Sequence, residues 1–279
     1  EKVMSKGLLD PKVDFVFKNI FGSPNHPEIL ISFLNATLKA KKKIVNVDIK
    51  KTDIEKQYIE DKYSRLDVKA TTSNDEIINI EIQLKNENNM VKRSLYYLSK
   101  MYEEQLNEKE DYSKLARTVC INILNFKYLK TDNFHTGYRF KEIESNEELT
   151  DIMEVHFIEI PKLQDSSDEK DMLVAWTEFL KDPESEKVRG LELSIEEIRQ
   201  AKDELIRMSN DSTQRELYDM RANSLRDKMS ELNAAERKGI EKGREEEKIK
   251  IARNMKLSGL DTNTIAKITN LSEDEIDKL

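Results

Sequence analysis

Along the first forty residues apolar side chains recur every three to four positions. Asp10 followed by Pro11 reads as an N-cap with proline at the first helical position, and Val13, Val16, Phe17, Ile20 and Phe21 follow at helical spacing before Gly22 stops the run. A second helix is predicted over Pro27 to Lys39, burying Leu30, Ile31, Phe33, Leu34 and Leu38. The period then changes. Ile44, Val45 and Val47 open a strand, and Tyr63 to Lys85 reads as a hairpin. Val91 to Leu106 returns to helical spacing, with Leu95, Leu98, Met101 and Tyr102 on one face. Thr118 to Leu124 is a short, mostly apolar run of the kind buried inside a sheet. Tyr138 to Ile143 and Ile152 to Ile160 are further strands, the last ended by Pro161.

After about residue 165 the texture is helical and rich in Glu, Lys and Arg. Ala234 to Lys250 is charge-dense, with glycines at 239 and 243, and reads as a solvated helix or a linker. The final block, with a break at Gly259 and a Ser272 cap, has the outline of a helix-turn-helix. These shifts divide the chain into a core (1–165), a helical extension (166–235), a charged helix or linker (236–250) and a small helical module (251–279).

The hairpin is the most informative segment. In Arg65-Leu66-Asp67-Val68-Lys69-Ala70 polar and apolar residues alternate, as they do in Ile78-Asn79-Ile80-Glu81-Ile82-Gln83-Leu84-Lys85. Ser73-Asn74-Asp75 supplies the turn. A loop centred on Asn74 sets Asp67 opposite Glu81 on one face, with Cβ atoms roughly 5 Å apart. Like charges so placed are destabilising unless neutralised, and a divalent cation held by two carboxylates, waters and phosphate oxygens does that. Gln83 would point into the same cleft and orient water or a phosphate oxygen, with Lys69 and Lys85 flanking. Spacing alone favours an ordinary amphipathic hairpin with solvated charges.

Composition narrows the classes. The chain has 279 residues, a net charge of −8 and 37% hydrophobic residues, which is polar yet sufficient for a core. No run approaches the roughly 20 apolar residues a membrane span needs, and no signal-peptide core opens the chain. The single Cys120 excludes an internal disulfide and a Cys-rich zinc site, which fits a reducing cytoplasm. His26, His135 and His156 lack metal-ligand spacing, the latter two reading as strand or surface residues, and Trp176 reads as a helix core anchor. Charge is uneven. Residues 1–100 hold 18 Lys and Arg against 14 Asp and Glu, whereas residues 141–170 are strongly acidic. Lys39, Lys41, Lys42, Lys43, Lys50 and Lys51 form the densest basic group, suited to a polyanion or to a solvated edge.

A series of blocks in order gives these pieces a common meaning: DPKVDFVFKNIFG (10–22), ILISFLNATL (29–38), RLDVKA (65–70), INIEIQLK (78–85), VKRSLYYLSKMYEEQL (91–106), INILNF (121–126) and ELTDIMEVHFIEIPKL (148–163). With the later GREEE (243–247) and the terminal helical block, the chain resembles the recombination-promoting nuclease (Rpn) family, transposase-like members of the PD-(D/E)xK nuclease superfamily. The resemblance covers essentially the whole chain. It implies an α/β fold: a restriction-endonuclease-like core with a mixed central sheet of roughly four to six strands flanked by helices, and a helical C-terminal extension.

It also implies a metal-dependent DNA endonuclease using Mg²⁺, with Mn²⁺ as a substitute. By motif, Asp67 and Glu81 match the metal-binding acids, and Gln83 stands where the superfamily usually has lysine, with Lys69 or Lys85 as stand-ins. Asp14 corresponds to an accessory acid or, equally, pairs with Lys18 along its helix. Arg93 and Tyr97 fall where substrate contacts are often placed, although core packing is the better reading for at least one of Tyr96 and Tyr97. The implied partners are DNA and, because cutting both strands calls for two active sites, a second copy of the chain. The implied setting is recombination, transposition or phage defence in a prokaryotic cytoplasm. Two rivals stand beside this reading: a degenerate nuclease fold that binds DNA or protein without cutting, and an interaction protein acting through its charged C-terminal helices.

Overall fold

A computed structural model of the chain describes residues 7–50, 59–60, 66–168 and 170–279. Of the sequence readings, those on Lys51, Tyr63 and Arg65 lie outside the described residues. The first helix, α1 (Asp14–Phe21), begins later than its proline predicts. Asp10 accepts a hydrogen bond from the Lys12 amide at 2.9 Å and closes a turn of its own, so helical winding starts only after Val13. Helix α2 (Pro27–Leu38) follows, then strands β1 (Val47–Ile49), β2 (Val68–Thr72) and β3 (Ile77–Gln83), helix α3 (Met90–Glu103) and strand β4 (Thr118–Leu124). Strands β5 (His135–Lys141) and β6 (Glu148–Glu159) form a hairpin longer than its apolar run predicts. Its exposed half is polar, so hydrophobicity alone marks only the half that reaches the core.

The six strands make one mixed sheet in the order β1-β2-β3-β4-β6-β5. β3, β4 and β6 run parallel, while β1, β2 and β5 are antiparallel to their neighbours. Strand β4 is buried along its whole length, as a central strand covered on both faces must be. One face presents Ile78, Ile80, Ile82, Val119, Ile121, Ile123 and Ile158 to α1, α2, α4 (Met172–Lys181) and α6 (Glu196–Asn210). The short α5 (Glu186–Glu192) also buries Val188 and Leu191 there. Aromatic rings lock this core: Phe21 meets Trp176 edge-on at 5.2 Å and Phe33 at 5.5 Å. Most of this core comes from residues before 165, but Leu173, Trp176, Phe179, Ile198 and Leu205 are buried in it too, so the helical extension packs as part of the same body. The opposite face is covered by α3, over a smaller core of Met90, Leu98, Cys120, Leu124, Val155 and Phe157.

The buried stripe of α3 is Met90, Arg93, Ser94 and Leu98. That corrects the expected face: Leu95 is exposed, and so are both Tyr96 and Tyr97, which stack on each other edge-on at 5.4 Å. The helix turns a polar pair, Arg93 and Ser94, toward the sheet because the strand residues beneath it are themselves polar.

Gly22, at the end of α1, lies against β2. A Cβ there would come within 2.6 Å of the Lys18 carbonyl and 3.3 Å of Val68 Cγ2. Helix α7 (Ser212–Leu257) begins in the first compact unit, which ends at Leu225. The charge-dense segment from Ala234 is helical and largely exposed. The second unit, Arg226–Leu279, holds α8 (Thr262–Thr269) and α9 (Glu273–Asp277), with a core of Ala252, Ile265, Leu271 and Ile276. Asp261 caps α8 by accepting from the Thr264 amide at 2.9 Å. Ser272 and Glu275 form a capping box on α9.

Candidate active site

The turn that joins β2 to β3 is held by Thr72, whose hydroxyl donates to Glu76 Oε2 at 2.7 Å, and Asp75 takes a positive φ of 61°. It fixes the register: Ala70 faces Ile78, Lys69 faces Asn79 and Val68 faces Ile80. One step further sets Asp67, the residue just before β2, opposite Glu81. Asn79 Nδ2 lies 3.5 Å from Asp67 Oδ2, so the Asp67 carboxylate sits on the Asn79–Glu81–Gln83 face. Lys69 shares that face but is exposed. Lys85 lies two residues beyond the end of β3.

Glu81 is 5% exposed. Its Oε1 accepts from Gln83 Nε2 at 2.8 Å and from the Arg93 guanidinium, which also lies 3.7 Å from Glu87. Arg93 therefore meets the acidic strand directly, whereas Tyr97, one turn on, faces outward. Beside Glu81 on β4 stands Asn122, with Ser94 Oγ 3.0 Å from its Oδ1. Cys120, the neighbour of Asn79, has its thiol pushed up to about 12 by burial and by the Asp67 charge.

From the other side of the sheet Lys18 reaches over, its Nζ donating to the Asp67 carbonyl at 2.8 Å. Burial lowers its ammonium pKa, opposed by the charge of Asp67, with Lys69 lowering it further and Asp14 raising it. Asp14 itself is gripped by Arg221 of α7, whose Nε and Nη2 reach its two carboxylate oxygens at 2.8 and 2.6 Å. The structure thus brings Glu81, Gln83 and Arg93 together, sets Asp67 beside Asn79 on the same face with Lys18 at its carbonyl, and joins Asp14 to a fully buried arginine. Arg221 was missed from sequence. Its signal was an arginine three residues from Tyr218 and four from Leu225, on a stripe that packs against the core.

Among the described residues no three His, Cys, Asp or Glu side chains cluster as a ready-made metal centre. The donor set present is two carboxylates and the amides of Asn79 and Gln83. Asn79 Oδ1 is buried and has no hydrogen-bond partner among the described residues. Oxygen donors of this kind fit a hard divalent cation that keeps most of its waters.

A family model for PD-(D/E)XK nuclease family transposases matches residues 11–235. The chain belongs to this family. A second model, for the C-terminal helix-turn-helix domain of the Rpn/YhgA-like nuclease family, matches residues 245–279. No curated protein and no solved structure matches the chain. The mixed sheet with flanking helices is the fold expected of a PD-(D/E)XK nuclease, and a nuclease- or transposase-like activity is the class that membership supports. Family members typically use divalent metals. No described helix is long and apolar enough to cross a membrane.

Proposed function

We propose that this PD-(D/E)XK family member is a metal-dependent DNA endonuclease that hydrolyses phosphodiester bonds, serving recombination, transposition or phage defence in a prokaryotic cytoplasm. What supports this reading is the Asp67 carboxylate lying on the face of β3 that carries Asn79, Glu81 and Gln83, where the β2–β3 register continued one step would bring it to Glu81. Asp67 and Glu81 would hold the cation, Mg²⁺ or in its place Mn²⁺. When bound, it supplies neutralisation of the paired carboxylates, polarisation of the phosphate and a more acidic water.

The chain's own groups do the rest. Arg93 and Gln83 fix the orientation of the Glu81 carboxylate, and the Gln83 amide can turn its carbonyl toward water or its NH₂ toward a phosphate oxygen. Lys69, Lys85 and Tyr97 would meet the DNA backbone, and Asp14 would act through its pair with Arg221. The terminal module adds DNA contacts, and two copies of the chain cut the two strands.

A second reading, a fold that binds DNA or protein without cutting, rests on Arg93 engaging Glu81 and on an amide instead of an amine at position 83. Plasmid cleavage with Mg²⁺, Mn²⁺ or EDTA separates the two. Metal-dependent nicking lost in Asp67→Ala and Glu81→Ala supports the nuclease. DNA binding by folded wild type, indifferent to metal and without nicking, favours the second reading.

A further inference from the structure

We propose that Lys18, from α1, supplies the positive charge that meets the phosphate undergoing hydrolysis, a role β3 cannot fill with Gln83. This inference rests on the nuclease reading and deepens it.

The need is electrostatic. As a water oxygen forms its bond to phosphorus and the bridging P–O bond breaks, one product takes the phosphate monoester and the other departs as an alkoxide that takes a proton. In between, negative charge builds on the non-bridging oxygens. A preorganised cation at that point stabilises the transition state more than the bound substrate. Gln83 carries no charge, and one of its amide hydrogens goes to Glu81. Arg93 lies against Glu81 and Glu87. Lys69 is exposed on a flexible stem, and Lys85 lies beyond the strand end.

Lys18 differs from all of these in how it is held. Its ammonium is tied to the main chain of Asp67 at 2.8 Å. Its helix is fixed from three directions: Phe17, Ile20 and Phe21 are fully buried, Asp14 is clamped by Arg221, and Gly22 lets the helix end close on Val68. An amine so anchored loses little freedom when substrate arrives, which is the condition for a large electrostatic effect.

The test compares wild type with Lys18→Gln, Lys18→Arg and Asp67→Asn in the full chain. The readouts are kcat and KM for plasmid nicking in Mg²⁺, the Kd for a duplex oligonucleotide in Ca²⁺, and the thermal midpoint. The expected result is a fall in kcat of about 10²-fold for Lys18→Gln, comparable to the loss of one oxyanion donor. KM, Kd and the midpoint should change little, and Lys18→Arg should recover most of the loss. If Lys18→Gln retains kcat within about threefold, or if its whole effect appears in KM and Kd, the assignment is overturned. It is equally overturned if both Lys18 variants lose activity together with their thermal midpoint, since the residue is then structural. Wild type that fails to nick in any metal, like Asp67→Asn, overturns the nuclease reading itself and this inference with it; an active wild type with an active Lys18→Gln overturns the inference alone.

Discussion

Glu81 and Glu154 are both buried in the same sheet, on opposite faces, and the chain treats them differently. Glu154 is enclosed by cation-capable groups. Arg117 reaches it at 2.7 Å, the Arg139 and His156 side chains also donate to it, and Arg117 goes on to Glu76 while Arg139 goes on to Glu148. Burial alone would raise its carboxyl pKa, yet these hydrogen bonds hold it down at about 2. Glu81 has Arg93 and an amide, and across the strand pair stands another acid, Asp67. One cluster threads arginines between its carboxylates; the other sets two carboxylates, Asp67 and Glu81, on one face of a hairpin. Fold stability explains the first arrangement, whereas the second makes physical sense where a ligand of positive charge completes it.

That contrast can be broken by substitution. Asp67→Asn and Glu81→Gln should cut metal-dependent nicking by about 10³-fold or more, the scale of losing several kcal/mol of charge stabilisation; the thermal midpoint should hold or rise in Asp67→Asn and fall modestly in Glu81→Gln, which removes the carboxylate that the buried Arg93 meets. A variant that unfolds instead would place Glu81 in the structural class with Glu154. Arg221→Met should cost about 3 kcal/mol in urea unfolding, because it leaves the buried Asp14 carboxylate without its clamp. Were Asp14 chiefly an accessory acid of the site, this variant would lose nicking while keeping its stability. Glu154→Gln should destabilise by about 2 kcal/mol, less because Arg117 and Arg139 are partly exposed, and the kcat of the folded enzyme should stay near wild type.

Acid titration sharpens the comparison further. His135 stacks on His156 with ring centroids 5.1 Å apart and its Nε2 2.9 Å from Nδ1. Burial, then the nearby His156 and Lys39, push its pKa down to about 4. Its folded pKa lies below its ordinary 6.5, so the unfolded chain takes up the proton first and stability falls as pH drops from 6.5 toward 4. Glu154, held at about 2 against an ordinary 4.5, adds a second loss below pH 4.5. Urea midpoints across pH 7 to 3 should show both, and His135→Gln should remove the upper one. The smallest effect is expected at Lys69→Ala, roughly a twofold to fivefold rise in KM with kcat kept, as befits an exposed backbone contact.

Most of the architecture was legible because period reports burial. The alternation in 66–70 and 78–85 reports the β2–β3 hairpin and its register, and the apolar run 118–124 matches the central strand residue for residue. What failed was what period cannot report. The α3 stripe was misjudged because a helix over a polar strand buries Arg93 and Ser94 and leaves Leu95, Tyr96 and Tyr97 outside. Lys18 was read only as a partner of Asp14 along its own helix, and the Arg221 clamp was not seen. Their contacts, with Asp67 and Asp14, join residues 49 and 207 positions apart, a separation that local spacing does not encode.

Gly22 gives the assembly a tolerance. A Cβ at that point would lie 2.6 Å from the Lys18 carbonyl of its own helix and 3.3 Å from Val68 Cγ2 of strand β2. Any larger residue acts as a shim. It must lift the helix end away from Val68, and Lys18, one turn earlier, rises with it. The gauge between the α1 amine and the main chain of Asp67 is therefore set by a residue that meets Lys18 only through its main chain, and a protein carrying a methyl group there would stay folded on its buried aromatics while its α1 amine stood out of adjustment.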